Sequence, residues 1–240
     1  RYIVYQRAKN QKQTISFGMQ DEPNRIGYEW AAHSIYPKKN DFSQFRVTIG
    51  NSQCLKPYSA SIFNISAMSY GALSKTAISS LNEGAKMGNF AHNTGEGGIS
   101  DYHLKGGDLI WQIGTGYFGC RDGKGHFNDA LFVEKANLKE VKMIEIKLSQ
   151  GAKPGHGGLL PAEKNTPEIA RIRALEPHKT VHSPSAHTAF SNATELLYFI
   201  QKLRNLSNGK PVGFKICIGK KDEFTEIIEA MLNTNILPRS

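Results

Sequence analysis

The chain has 240 residues, of which 39% are hydrophobic and 21% charged, a balance that is typical of a globular protein. It contains no run of about 18 apolar residues, which excludes a membrane-spanning helix from this sequence. The formal net charge is +9, but the basic residues are scattered among acidic ones without a dense block, so nucleic acid is not a predicted partner.

Residues 1–60 are polar and show no sustained hydrophobic period, so they predict an N-terminal extension that packs on a core. Apolar runs after this extension predict strands at residues 62–68, 90–93, 109–113, 141–148 and 212–218. Capping residues and helical spacing predict helices over residues 74–88, 130–140, 166–175 and 194–209, and from 222 onward.

Strands and helices therefore alternate along the chain, with about five strands, which predicts a parallel sheet with right-handed crossovers. Two α/β architectures have this pattern: a doubly wound open sheet and a (β/α)8 barrel. In both, the functional site lies at the carboxyl ends of the strands, where loops from several strands meet.

The loop at residues 147–158 follows the fourth predicted strand and contains four glycines, two lysines and a glutamine. Glycine allows a close approach between backbone and ligand, whereas Lys153 and Gln150 offer a cation and an amide. This density predicts a loop that contacts a ligand rather than a simple surface turn.

Three other segments are candidates for the same site. Residues 66–74 form a turn of small residues between a strand and a helix, against which a flat ring could lie. Glu96 lies in a glycine-rich loop after the second strand, and Lys215 lies inside an apolar strand, where a lysine is costly without a role.

Two further patterns have weaker support. Residues 114–119 match G-x-G-x-x-G, but turn residues follow where a dinucleotide-binding fold requires a helix. His156, His182 and His187 lack the spacing of a metal site, so we predict no metal. Cys54, Cys120 and Cys217 are widely spaced, which predicts free thiols in a reducing compartment and a cytoplasmic location.

Taken together, these segments resemble the FMN-binding domain of the glutamate synthase family, in particular its stand-alone glutamate-synthase-like proteins. The matching residues are 66–74, 92–98, 111–120, 150–158, 166–173, 183–184, 187 and 212–215. The resemblance covers nearly the whole chain and implies a (β/α)8 barrel with FMN at the carboxyl ends of its strands. Residues 61–240 would then be the N-terminal part of that barrel, with residues 1–60 as the extension.

The resemblance also implies a reaction: 2-oxoglutarate condenses with ammonia to 2-iminoglutarate, and reduced FMN delivers a hydride that yields L-glutamate. Partners would be an electron donor and an ammonia source, which is either ammonia in solution or a separate chain that supplies it. Carried over by position, the family's flavin-binding residues are Ala67, Met68, Ser69, Gln150 and Lys215. The residues implied at the reacting centre are Glu96, Lys153 and Gln150, and those implied for substrate binding are Glu96, Lys153 and Arg173, with Arg171 as a rival to Arg173.

The chain departs from the family's pattern in several places. Leu159 and His156 stand where the family has glutamine and glutamate, and the cysteines do not form the triplet of an iron–sulfur cluster. Five strands do not close an eight-stranded barrel, so we expect a truncated barrel and weak or no FMN binding by these 240 residues alone. The alternatives are a non-catalytic remnant and a related FMN-dependent oxidoreductase that acts on another oxo acid.

Overall fold

A computed structural model describes residues 2–11, 22–30, 32–39, 41, 45–50, 54–152 and 154–238. The chain divides into two compact units, Arg1–Asp41 and Phe42–Ser240. The first unit contains the short helix α1 (Tyr2–Ala8). None of the described helices is both long enough and apolar enough to cross a bilayer.

The second unit contains the remaining helices and strands. Its strands are β1 (Arg46–Ile49), β2 (Tyr58–Ser61), β3 (Ala91–Asn93), β4 (Asp108–Ile113), β5 (Val141–Lys147), β6 (Leu159–Leu160), β7 (Val181–His182) and β8 (Val212–Lys215). Its α-helices are α2 (Lys75–Gly88), α3 (Asp129–Ala136), α4 (Pro167–Arg173), α5 (Ala193–Leu206) and α6 (Lys221–Thr234).

The central element is a parallel sheet in which β3, β4, β5 and β8 are neighbours in chain order. Next to β3, the segment at Ile65 pairs with His92 through an isolated parallel bridge, which extends the sheet on that side. Parallel strands are added in chain order, with α3 between β4 and β5 and with α4 and α5 between β5 and β8, which gives an α/β fold that is consistent with part of a (β/α)8 barrel. This confirms the predicted fold class, although the described strands do not close into a barrel.

The two faces of the sheet are covered differently. On the outer face, Trp111 of β4 stacks on Phe132 of α3 with ring centroids 5.3 Å apart, inside a large apolar core that also includes α5. On the inner face, Tyr58 and its neighbours from the β1–β2 hairpin pack on Met143. The Tyr58 hydroxyl donates a hydrogen bond to Asp108 (3.0 Å), which is the first residue of β4. The hairpin therefore covers the inner face near the amino ends of the strands.

Most predicted helices and strands are present, but several boundaries are wrong. The predicted strand at residues 62–68 is reduced to the bridge at Ile65, because Asn64 uses its side chain to bind the Ser61 carbonyl and the Ala91 N–H. Helix α3 ends at Ala136 rather than at residue 140. Strand β8 stops at residue 215 because the N–H of Cys217 donates to the Ser149 hydroxyl instead of extending the ladder.

Helix α2 begins as predicted and ends differently. The Ser74 hydroxyl accepts a hydrogen bond from the Ala77 N–H (3.2 Å), which is the predicted N-cap. At the other end, Gly88 is still helical, and Asn89 adopts the left-handed conformation (φ 51°) that closes the helix. The three cysteines are free thiols, as predicted. The packing of residues 1–60 as an extension of the barrel stays a prediction.

His92 is a buried histidine that we expect to make the fold sensitive to acid. The side chain is fully buried, neither ring nitrogen has a hydrogen-bond partner among the described residues, and the ring lies 5.2 Å from that of His103. Burial lowers the pKa of His92 from 6.5 to about 4, and the charge of His103 acts in the same direction. The folded state therefore holds His92 neutral at a pH where the unfolded chain protonates it.

We expect the free energy of unfolding to fall by about 3 kcal/mol as the pH drops from 6.5 to 4. The sign follows because the unfolded chain binds more protons across this window. Urea unfolding at a series of pH values measures the slope, and His92→Leu should flatten most of it. An unchanged slope in this variant would contradict the assignment, since other buried groups such as His103 and His187, whose pKa values burial also lowers, would then account for the acid sensitivity.

Candidate functional site

The carboxyl ends of the parallel strands bring Glu96, Lys147 and Gln150 together. Glu96 follows β3, Lys147 is the last residue of β5, and Gln150 lies in the loop that follows it. The Lys147 ammonium group donates to Glu96 Oε1 and to Gln150 Oε1, at 2.9 Å in each case. Two of the residues predicted at the reacting centre are therefore joined through a lysine.

Glycines hold Glu96 close to its neighbours. Gly95 adopts a positive φ of 65°, and its N–H donates to the side chain of Asn93 (3.0 Å), which fixes the turn. A Cβ at Gly114 would lie 2.4 Å from Glu96 Oε2, so only glycine lets the β4 loop pass this carboxylate. The high glycine content of these loops therefore serves close packing around Glu96.

Arg173 is buried at the end of α4. It is 8% exposed, its Nη2 donates to the Tyr70 carbonyl (3.1 Å), and its guanidinium lies 5.2 Å from the centroid of the Phe118 ring. Its Nε has no hydrogen-bond partner among the described residues. Burial lowers the pKa of Arg173, while the charge of Glu96 acts in the opposite direction. A buried guanidinium with an unused donor is suited to an anionic ligand.

Arg173 and Glu96 share a cavity of about 210 Å³. The cavity is lined by Ser69, Gly71, Ala72, Glu96, Phe118, Gly158, Leu159, Leu160, Pro161, Lys164, Arg173 and Ser183. Arg173 and Lys164 are its basic residues, and much of the remaining wall is apolar. This combination fits a small organic anion with an aliphatic part.

A second, smaller cavity is also lined by Glu96. It measures about 30 Å³, room for one or two molecules the size of water, and its lining includes Glu96, Lys147, Gln150 and His156. Glu96 is thus part of the wall of both cavities, and Gln150 belongs to the smaller one.

Polar side chains also lie on the inner face of the sheet, on β5 and the neighbouring strand β8. Lys147 and Lys215 are paired in register on neighbouring strands, so they lie on the same face. Two residues before Lys147, Glu145 accepts hydrogen bonds on one oxygen from the amides of Asn93 (2.9 Å) and Gln112 (2.6 Å). Lys215 is exposed and lies at the end of its strand.

The segment with Ala67, Met68 and Ser69 is half-buried beside β3. The Met68 N–H donates to the Asn93 carbonyl (3.0 Å), and the Met68 carbonyl accepts from Nε2 of His103 (3.0 Å). These bonds extend the sheet past the Ile65 bridge to the rim where Glu96 lies. All three residues therefore reach the predicted edge of the sheet, and their role in binding flavin stays a prediction.

His187 forms a hydrogen bond to the backbone of Lys147. Its Nε2 donates to the Lys147 carbonyl (2.9 Å), so its Nδ1 accepts from the Tyr117 hydroxyl (3.0 Å), which in turn accepts from the Ala189 N–H. Burial lowers the pKa of His187, which favours the neutral ring that this chain of bonds requires. Tyr117 belongs to the G-x-G-x-x-G run, after which no helix begins until Asp129.

The other predicted residues have different positions. Arg171, the rival of Arg173, faces solvent and pairs with Asp101 at 3.6 Å. Leu159 lines the larger cavity and is 57% exposed. Lys153 lies outside the described residues. The part of the chain that the structure describes has no cluster of three or more His, Cys, Asp or Glu side chains that could hold a metal ion.

Sequence reasoning gave no role to Lys147, Glu145 or the Tyr117–His187 pair. A signal for the first two was present, because charged residues at alternate positions of a buried strand point to one polar face. Nothing in the sequence indicated that Tyr117 and His187 meet, since that contact depends on loops 70 residues apart.

Comparison with known proteins shows similarity to glutamate synthases, both in a family model and in individual relatives. Residues 24–237 match the family model described as a conserved region in glutamate synthase. The chain is 44% identical over 186 residues to the glutamate synthase large subunit-like protein YerD of Bacillus subtilis (strain 168), covering 76% of this chain and 35% of that protein.

Two further relatives are glutamate synthases by name. The archaeal-type glutamate synthase (NADPH) of Thermotoga maritima is 36% identical over 152 residues, covering 62% of this chain and 27% of the relative. The archaeal glutamate synthase (NADPH) of Methanocaldococcus jannaschii is 31% identical over 197 residues, covering 81% of this chain and 35% of the relative. The chain therefore spans about a third of the length of the relatives it matches.

Proposed function

The chain belongs to the glutamate synthase family, and from this premise we propose that it contributes the reacting centre of an FMN-dependent oxidoreductase that converts 2-oxoglutarate and ammonia to L-glutamate. The observation that carries the proposal is Arg173, a buried guanidinium whose Nε has no partner among the described residues and which lines a cavity shared with Glu96. A separate electron donor and ammonia source belong to the proposal.

The residues present are compatible with FMN. Two lysines, Lys147 and Lys215, lie in register on one face at the carboxyl ends of neighbouring strands, where they would stabilise negative charge on a reduced ring. The small side chains of Ala67 and Ser69 lie at the same edge, and Gly95 packs so closely that a Cβ there would be 2.9 Å from the Ser69 nitrogen. When bound, FMN supplies the hydride for the reduction.

In this proposal, the oxo acid binds in the larger cavity. Arg173 would bind one carboxylate through its guanidinium group, and the exposed Lys164 at the same cavity offers a cation for the second carboxylate. The apolar wall between them, including Phe118, would contact the aliphatic carbons. 2-Oxoglutarate, which has three carbons between its two terminal carboxylates, has this distribution of charge.

Ammonia would occupy the smaller cavity. It has room for a molecule the size of water, and Glu96 borders both this cavity and the larger one. Glu96 would accept a proton from ammonium, so that neutral ammonia can add to the keto carbon of a substrate bound beside Arg173. Lys147 and Gln150 would hold Glu96 and the adjacent polar groups in position.

Activity should be measured on the full protein that carries this chain, supplied with FMN, a chemical reductant, 2-oxoglutarate and ¹⁵N-labelled ammonium. We expect ¹⁵N-glutamate, detected by mass spectrometry, and no product when ammonium is omitted. Bound flavin that is reduced but forms no amino acid from any oxo acid would favour the non-catalytic remnant. Leu159 adds an apolar side chain to the cavity wall, so pyruvate and 4-methyl-2-oxopentanoate should be assayed in parallel as substrates of the alternative oxidoreductase.

A further inference from the structure

Four lysines gather at the opposite end of the sheet from Arg173 and Glu96. Lys142 is the second residue of β5, Lys210 lies two residues before β8, and Lys139 and Lys56 precede β5 and β2. They line a cavity of about 310 Å³, which we term the lysine pocket. No residue of this pocket lines either cavity around Glu96.

Acidic residues neutralise this cluster only in part. Lys142 lies 3.6 Å from Asp108, and Lys139 lies 3.7 Å from Glu140, although its side chain is 90% exposed. Lys56 and Lys210 form no ion pair among the described residues. The pocket therefore has more positive than negative charge within reach of its walls.

Lys210 is held in place by carbonyls rather than by an acid. It is 8% exposed, and its ammonium group donates to the carbonyls of Ala136 and Leu138 at the end of α3. Lys56 is fixed beside it, because the Lys56 N–H donates to the carbonyl of Gly209 (3.1 Å). The backbone thus keeps these two cations close together without a counter-ion.

Burial and repulsion from neighbouring lysines both act on the charge of Lys210. Burial, together with the charges of Lys56 and Lys142, lowers the pKa of Lys210 to about 8. A bound anion would offset both the burial and the repulsion.

Apart from the amide of Asn137 and the phenol of Tyr58, the remaining walls of the pocket are apolar. Pro57, which is exposed, and Leu138, which is half-buried, stand beside the four ammonium groups. A volume of 310 Å³ is at the lower end of the range for small-molecule sites, about 300–1,000 Å³, and exceeds what a bare inorganic anion needs. We propose that the lysine pocket binds a phosphate monoester, with its phosphate on Lys56, Lys142 and Lys210 and its organic part on Pro57 and Leu138.

Calorimetric titration with phenyl phosphate, inorganic phosphate and chloride at constant ionic strength tests this proposal. We expect one saturable site for phenyl phosphate, weaker binding of inorganic phosphate and none of chloride. The double variant Lys56→Gln/Lys142→Gln should weaken phenyl phosphate binding by about tenfold or more, since it removes two of the three cations proposed to bind the phosphate.

Lys179→Gln is the matched control, because Lys179 is an exposed lysine with an ion-pair partner outside the pocket. It should bind like the unmodified protein. Equal affinity for phenyl phosphate and inorganic phosphate would overturn the assignment to a monoester. Binding that survives in the double variant would place the anion elsewhere and overturn the site. Circular dichroism of the double variant verifies that its fold is intact.

Discussion

Replacing Arg173 with methionine is expected to raise the KM for 2-oxoglutarate by about 10- to 100-fold, since charge-assisted hydrogen bonds contribute about 1.5–3 kcal/mol each. Arg173 is 8% exposed, and its Nε has no partner among the described residues. Methionine retains much of the side-chain length and its packing on Phe118 but removes the charge. Steady-state kinetics over a range of oxo-acid concentrations measures the effect.

Arg171→Met is the matched control, because the same residue type lies one half-turn away on α4 but faces solvent. Its partner Asp101 is 3.6 Å away and both side chains are well exposed, so this exposed ion pair contributes little to stability. Arg171→Met should leave KM unchanged. If Arg171→Met raises KM and Arg173→Met does not, the carboxylate is bound outside the cavity described above and the role of Arg173 is wrong. Arg173→Lys separates charge from geometry, because lysine keeps the charge but loses the planar donor fork.

Hydrophobic patterning predicted the central sheet well because β4 and β5 are covered by helices on their outer face. Their apolar runs are long, and the boundaries of β5 differ from the prediction by a single residue. The segment at residues 62–68 has a similar composition but forms only one bridge, at Ile65. The side chain of Asn64 takes backbone partners that a strand would use, and apolar periodicity does not report such a contact.

Glycine density in loops and a lysine inside a strand, Lys215, marked residues of the candidate site, but the neighbouring strand residue Lys147 was missed. The glycine-rich loops led to Glu96 and Gln150, which share Lys147 as a hydrogen-bond donor. Lys147 itself belongs to the strand, where every second residue faces the inner side of the sheet. The distance between Arg173 and Glu96 in sequence also hid the cavity that they share, because a pocket between two loops depends on the tertiary fold.

Lys147→Met is expected to reduce kcat/KM for glutamate formation on the order of 100-fold, since removing one partner of a partly desolvated, hydrogen-bonded charge pair costs roughly 2–5 kcal/mol. Lys147 donates to both Glu96 and Gln150, and its side chain is only 13% exposed. The variant therefore removes a hydrogen-bond donor from two residues of the proposed centre at once. Single-turnover measurement with pre-reduced flavin isolates the chemical step from product release.

A double-mutant cycle with Glu96→Gln tests whether the two residues act as a unit. If Lys147 acts by positioning Glu96, the double variant should be little worse than the poorer single variant, with a coupling energy of about 1–3 kcal/mol. The pair Lys202 and Asp129, 2.7 Å apart on the surface, is the control and should show almost no coupling in activity. Gly114→Ala provides an independent route, because its Cβ would approach Glu96 Oε2 to 2.4 Å and displace the carboxylate without changing any charge. Loss of activity in Gly114→Ala together with additive losses in the cycle would mean that Glu96 is needed and that Lys147 acts separately, on the flavin.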